Sequence, residues 1–303
     1  MRVTLLGTFP PIPNPQRFGV STLVEAGNQK LLFDAGRGTL IRLWQRRIAA
    51  GQVTAVFLTH LHSDHIVGLP DLWLTGALAA PFGARASALQ ILGPVGTAAM
   101  AEHLKLAFQA DIDMRTREKE VLDPSGLGLN STEFEADGVV WDREGVKVTA
   151  FKVEHGSARA FGFRVDYRGR SLLISGDTRP TANVVRYGKG VDVLVHEVIA
   201  FHPGVLDPAQ SDGVPGFNPA FTKHLVSLHT TPDQAGEIFA QTKPRLAVFT
   251  HLALLGNAKF PPPPPSDILA GTRRTYDGRV EVGEDLMTIE IGDEIRVTRP
   301  AAR

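Results

Sequence analysis

Apolar positions along the chain fall into two patterns: short dense runs, and longer stretches in which they recur three and four residues apart. The dense runs predict buried strands at residues 3–6, 19–25, 29–33, 53–58 and 87–92, and again at 147–154, 160–167, 171–175, 191–195 and 245–250. Residues 19–25 and 29–33 flank Ala26-Gly27-Asn28, a turn-forming triplet, and so read as a hairpin. Arg168-Gly169-Arg170 is a second such turn. Helical spacing covers 39–50, where Leu40, Ile41, Leu43, Trp44 and Ile48 form the apolar set and Arg42, Arg46 and Arg47 take the wet side. It returns at 72–80, at 97–110 and at 232–242, the last opened by Thr231 as N-cap. Residues 115–145 mix charge, glycine and proline and read as a link with short strands. Strands followed by helices thus occur twice, in halves of about 1–125 and 140–303. That order predicts one α+β domain built as a four-layer αββα sandwich.

Composition adds exclusions. The chain has 303 residues, 43% of them hydrophobic and 21% charged, which suits an ordinary globular protein and not a disordered one. Acidic and basic residues balance at 32 each, which weakens a nucleic-acid reading, because phosphate binding calls for clustered positive charge. There is no cysteine, so disulfides and thiolate metal sites are excluded and any metal must be held by nitrogen and oxygen. No window approaches the 18 apolar residues of a membrane span, so no membrane association is expected, and a cytoplasmic location is the default.

The chemistry concentrates at strand ends. Directly after the run 53–58 comes Thr59-His60-Leu61-His62-Ser63-Asp64-His65, three imidazoles and a carboxylate within six residues. Extended backbone points His60 and His62 the same way, and a following turn can return Asp64 and His65 to the same space, so one motif can serve two metal ions. Three further strands each deliver one ligand-type residue: His155 after 148–154, Asp177 after 172–176 and His251 after 246–250.

His60-x-His62-x-Asp64-His65 with the separated His155, Asp177 and His251 resembles the metallo-β-lactamase superfamily of metal hydrolases, in the family's order and over nearly the whole chain. The resemblance implies that His60, His62 and His155 hold one zinc, that Asp64, His65 and His251 hold the second, and that Asp177 bridges them. Manganese or iron also suit such ligands. Two ions about 3.5 to 4 Å apart lower the pKa of water and share a hydroxide as nucleophile, while the charges of Asp64 and Asp177 offset their repulsion. Asp64 therefore counts as catalytic as well as a ligand.

Within the superfamily, Val195-His196-Glu197-Val198 and His229-Thr230-Thr231 resemble motifs of the branch that holds ribonuclease Z and the zinc-dependent arylsulfatases. By that resemblance His229 gives a proton to the leaving oxygen and Glu197 orients it. Ribonuclease Z carries a long tRNA-gripping arm between the positions matching His155 and Asp177, for which this chain has no room. The expected substrate is accordingly a small ester, an aryl sulfate or phosphodiester. Alternatives are tRNA 3′ processing as in ribonuclease Z, β-lactam or lactone hydrolysis, and a non-enzymatic metal-binding module. The stretch 200–228, too irregular for an element, is expected to choose the substrate, with Phe201, Phe217 and Phe221 against an aromatic group and Lys223 or His224 facing an anion. The run Pro261 to Pro265 reads as a rigid surface connector, and a homodimer is the expected assembly.

Overall fold

The computed structural model describes residues 1–121, 123–207 and 219–300. Its chain divides into two units, Met1–Ala136 together with Glu284–Arg303, and Asp137–Gly283. Each unit holds one mixed sheet with its helices, which is the α+β class expected.

In the first unit the sheet order is β15 (Ile295–Thr298), β14 (Thr288–Ile291), β1 (Arg2–Gly7), β2 (Ser21–Ala26), β3 (Gln29–Phe33), β4 (Ala55–Phe57), β5 (Leu89–Pro94), β6 (Leu129–Phe134). The run from β3 to β6 is parallel, and the rest is antiparallel. β4 is central and buried along its whole length, hence its continuous apolar sequence. Leu43, Leu72 and Trp73 from the helices Thr39–Gln45 and Leu69–Ala77 pack with Leu6, Leu23, Leu32 and Val56 from the strands.

The second unit orders β13 (Val280–Val282), β12 (Leu246–Leu255), β11 (Val193–Phe201), β10 (Arg170–Ile174), β9 (Ala158–Tyr167), β8 (Val146–His155), β7 (Gly138–Arg143). β7 to β10 form an antiparallel meander, and β10 to β13 run parallel. Phe151, Leu173, Leu194 and Phe249 of this sheet pack with Ala235, Ile238 and Phe239 of the helix Pro232–Thr242.

Several boundaries differ from expectation for local reasons. The helix predicted over 39–50 stops at Gln45, because Arg47 turns left-handed at φ 57°. The 97–110 helix is two, Thr97–Ala107 and Gln109–Arg117. The stretch 200–228 is more regular than expected: β11 runs on to Phe201, a 3-10 turn covers Pro203–Val205, and Pro219–Leu228 is helical. Phe221 on that helix is 58% exposed, whereas Phe217 lies outside the described residues. After the proline run a helix, Pro265–Thr272, begins at its last proline.

The segment after Gly283 joins the first unit through the β1–β14 ladder and through one carboxylate. Asp285 accepts the Thr8 amide (3.0 Å) and hydroxyl (2.8 Å) on one oxygen, and the Phe18 amide (2.7 Å) and Arg42 guanidinium (2.7 Å) on the other. Arg42 in turn lies over the Phe18 ring at 4.1 Å. Removing one member of a buried ion pair strands the other, at a cost of about 3–5 kcal/mol. Asp285→Ala is therefore expected to lose about that much stability in urea melts, and the double variant with Arg42→Met to recover part of it.

Candidate metal centre

In the first unit the His-rich motif leaves β4 and turns into the short helix Ser63–Ile66. His62 occupies that helix's N-cap position without a side-chain capping bond, so its imidazole is not spent on the helix. Asp34, left-handed at φ 58° where β3 ends, organises the motif from beneath. Its carboxylate accepts the Thr59 amide (2.8 Å), the Thr59 hydroxyl (2.9 Å) and Nδ1–H of His65 (2.8 Å). The Thr59 hydroxyl, donating to Asp34, offers its lone pair to Nδ1 of His60 at 3.0 Å. Both rings therefore carry their proton on Nδ1 and turn a lone pair outward on Nε2, the tautomer a metal ligand needs. His65 Nε2 faces Asp64 Oδ2 at 3.5 Å, and His60 Nε2 stands 2.9 Å from His62 Nδ1. Gly36 is glycine for want of space, since a Cβ there would lie 2.7 Å from the Asp64 carbonyl oxygen.

The second unit gathers its polar groups at the end of β8, just after β10 and within β11 and β12. His155 ends β8, and its Nδ1 donates to the Leu228 carbonyl at 3.2 Å, again leaving Nε2 as the outward nitrogen. Asp177 follows β10, its Oδ2 lying 3.8 Å from His155 Nε2 and 3.3 Å from His251 Nε2. His251 sits within β12, not after it: Glu197 pairs with Thr250 and Val198 with Leu252, so His251 is the extra residue of a β-bulge, at φ 43°. The bulge turns a residue out of a ladder that would otherwise hold it in register. Among the described residues, His155, Asp177 and His229 bring one donor atom each within 4.8 Å of one another, and so do Glu197, His229 and His251.

Glu197 fixes His229. Its Oε1 accepts the Thr178 amide (3.1 Å), the Thr230 amide (3.1 Å) and Nδ1–H of His229 (3.2 Å), while its buried Oε2 has no hydrogen-bond partner among the described residues. Thr230 also donates its hydroxyl to the Thr178 carbonyl at 2.7 Å, so this acid and its histidine are braced from two loops. His196 next to it is different. Its ring is wholly buried, donates Nδ1–H to the Glu197 carbonyl at 2.7 Å and stacks edge-on to Phe239. Burial pushes its pKa below the ordinary histidine value, so it is a neutral core residue.

The expected residues therefore meet within each unit: His60, His62, Asp64 and His65 in the first, His155, Asp177, Glu197, His229 and His251 in the second. Sequence reasoning missed Asp34, Thr59, Thr178 and Thr230, which touch the imidazoles or their carboxylate partner. The signal available was Asp34, an acid at a strand end two residues before a glycine.

These residues suit a divalent metal. All donors are nitrogen or oxygen, three rings have their Nδ1 proton pinned, and two imidazole nitrogens at 2.9 Å need a proton or a cation to hold them there.

A family model described as beta-lactamase superfamily domain matches residues 29–252. Ribonuclease Z of Mycobacterium marinum is 35% identical over 295 residues, spanning 96% of this chain and 99% of that protein. The metallo-beta-lactamase fold protein YhfI of Bacillus subtilis superposes with a TM-score of 0.70 at 17% identity, over 95% of this chain and 99% of that one. Human tRNase Z, short form, gives 0.66 at 24% identity, over 96% and 100%. The chain belongs to the metallo-β-lactamase superfamily, and it is a metal-dependent hydrolase of ester bonds. Its place there is the ribonuclease Z branch. The relatives' name favours the ribonuclease Z alternative over the aryl sulfate reading expected from the sequence, which finds no support.

Two outcomes follow from the geometry. Asp34→Asn, which keeps shape but removes the charge that holds His65 and Thr59, is expected to weaken metal binding 10- to 100-fold in a chelator competition. The second concerns His196. Its folded pKa lies below the unfolded value near 6.5, so the unfolded chain takes up a proton first and stability falls as pH drops below about 6.5, by up to about 1.4 kcal/mol per pH unit. Melting curves of His196→Asn against pH are expected to show a shallower acid slope.

Proposed function

We propose that the chain is a dinuclear zinc phosphodiesterase that cuts RNA, with precursor tRNA as its substrate. The observation that carries this reading is the end-to-end match, at about one-third identity, to proteins named Ribonuclease Z. The absence of a long arm between β9 and β10, where Tyr167 pairs directly with Arg170, argues less against RNA than the sequence suggested. A match of 295 residues that spans 99% of the M. marinum protein and 96% of this chain leaves that relative no long arm either.

The proposed zinc ligands are His60, His62, Asp64 and His65 from the first unit and His155, Asp177 and His251 from the second; manganese or iron would suit the same donors. When bound, the ions supply a lowered pKa for water and positive charge for the phosphate. The protein's own part is to hold and move protons. Pinned Nδ1–H groups on His60, His65 and His155 keep three lone pairs aimed outward. Asp64 and Asp177 are proposed to offset the cationic charge and to orient the attacking water. His229, with Nδ1 held by Glu197, has Nε2 as its remaining nitrogen, and in the protonated ring that nitrogen gives a proton to the departing oxygen.

The zinc-loaded protein, given precursor tRNA, a bis-aryl phosphate and an aryl sulfate in parallel, is expected to cleave the first two and spare the third. Sulfate cleavage with RNA untouched would reject the proposal. Metal analysis of protein purified without chelator is expected to find close to two zinc ions per chain, and none or one would count against the seven ligands. His229→Ala is expected to slow phosphodiesters with poor leaving groups by about 10²- to 10⁴-fold and those with good ones far less. Equal losses across the series would remove the proton-donor role.

A further inference from the structure

The first unit has a surface that its metal-type residues do not explain. Trp44 is 50% exposed, Phe82 50% and Ile41 52%, and the Trp44 and Phe82 rings lie 5.7 Å apart. The backbone at Phe82 is held, because the Ala50 amide donates to the Phe82 carbonyl (3.0 Å) and the Arg85 guanidinium to the Ala50 carbonyl (2.9 Å). Trp44, Gln45, Arg47, Ala49, Gln52 and Pro81 line an adjoining pocket of about 650 Å³. Arg46 and Arg47 are both exposed, and neither guanidinium meets a carboxylate among the described residues. Residues 35–63 and 72–101 contain no Asp or Glu. Glu120, whose carbonyl takes the Ala79 amide, keeps its carboxylate on Arg115. A balanced overall charge thus hides a local surface of two aromatic rings and two unpaired cations.

We propose that Trp44 and Phe82, with Arg46 and Arg47, form a platform for single-stranded RNA, the rings stacking bases and the guanidiniums taking phosphates. The proposal rests on the RNA-cutting reading above. Stacking on exposed aromatics beside a cationic groove is how proteins hold single strands without reading their sequence. A second copy of the chain fits the patch less well. A two-fold contact sets the same face against itself, so Arg46 and Arg47 would meet their own counterparts with no lining carboxylate to pair them. Trp44 lies about 8 Å along its helix from Thr39, and the turn before that helix presses on the Asp64 backbone, so RNA held here would run close to the His-rich motif.

Trp73 and Trp141 are buried, which makes Trp44 the exposed reporter among the three tryptophans. Zinc-loaded protein titrated with short single-stranded polyuridine is expected to lose Trp44 emission. Arg46→Gln with Arg47→Gln is expected to weaken binding at least about tenfold and to lower the salt slope by roughly 1.4, the share of two phosphates on a single strand. Trp44→Ala is expected to weaken it at least about fivefold. Hydrolysis of a bis-aryl phosphate by all variants is expected to stay within about twofold of wild type. Unchanged RNA affinity in both variants, with wild type still cutting RNA, would overturn the platform alone. Wild type that cuts neither RNA nor the bis-aryl phosphate would overturn the parent reading. Variants that change mass by light scattering while binding RNA as before would make the patch a self-contact and overturn the proposal.

Discussion

An imidazole can serve a metal only through a nitrogen that carries a lone pair, and the structure enforces this by occupying the other nitrogen. Thr59 takes Nδ1–H of His60, Asp34 takes that of His65, and the Leu228 carbonyl takes that of His155. These partners are a hydroxyl, a carboxylate and a main-chain oxygen, so one requirement is met by three unrelated groups. Each is itself fixed: Thr59 by Asp34, Asp34 by its place at the end of β3, and Leu228 by its helix. A loose partner would let the ring turn over and present a proton where a metal should sit.

The sheets matter because they hold such partners at fixed separations. The polar groups follow β3 and β4 in the first unit; in the second they end β8, follow β10 or sit within β11 and β12. Side chains from remote parts of the sequence meet there without distorting the core. His251 lies within β12, where the ladder would hold it in register. An unpaired position and a left-handed backbone release it. The cost of that backbone, of order 1–3 kcal/mol, is offset by the apolar burial of Val248, Phe249 and Leu252 around it.

Much of this was legible in the sequence. Buried strands such as β4 and β8 announced themselves through apolar runs, and the seven metal-type residues through their position after such runs. The partners were not legible. Nothing in the composition of Thr59, Thr178 or Thr230 separates a threonine that braces a histidine from one on the surface; only the approach of two chain segments does. Continuation of β11 through His196 and Glu197 was also hidden, because a polar pair looks like a strand's end until both residues prove buried. The C-terminal strands β13 to β15, short and spaced by charge, carried too few apolar residues to stand out.

The return of residues after Gly283 to the first unit bears on how the molecule is made. A ribosome emits all of Asp137–Gly283 before the strand that pairs with β1, so the second unit has every residue it needs while the first still lacks an edge. During that interval β1 presents an open row of amides and carbonyls, a template for the wrong strand. Register pairs as distant as Arg2 and Glu290 give this sheet edge contacts of very large sequence separation, the kind whose loop-closure entropy slows folding. Pairing with β14 ends the exposure, and Asp285, which gathers Thr8, Phe18 and Arg42 in one carboxylate, latches the segment just before that strand.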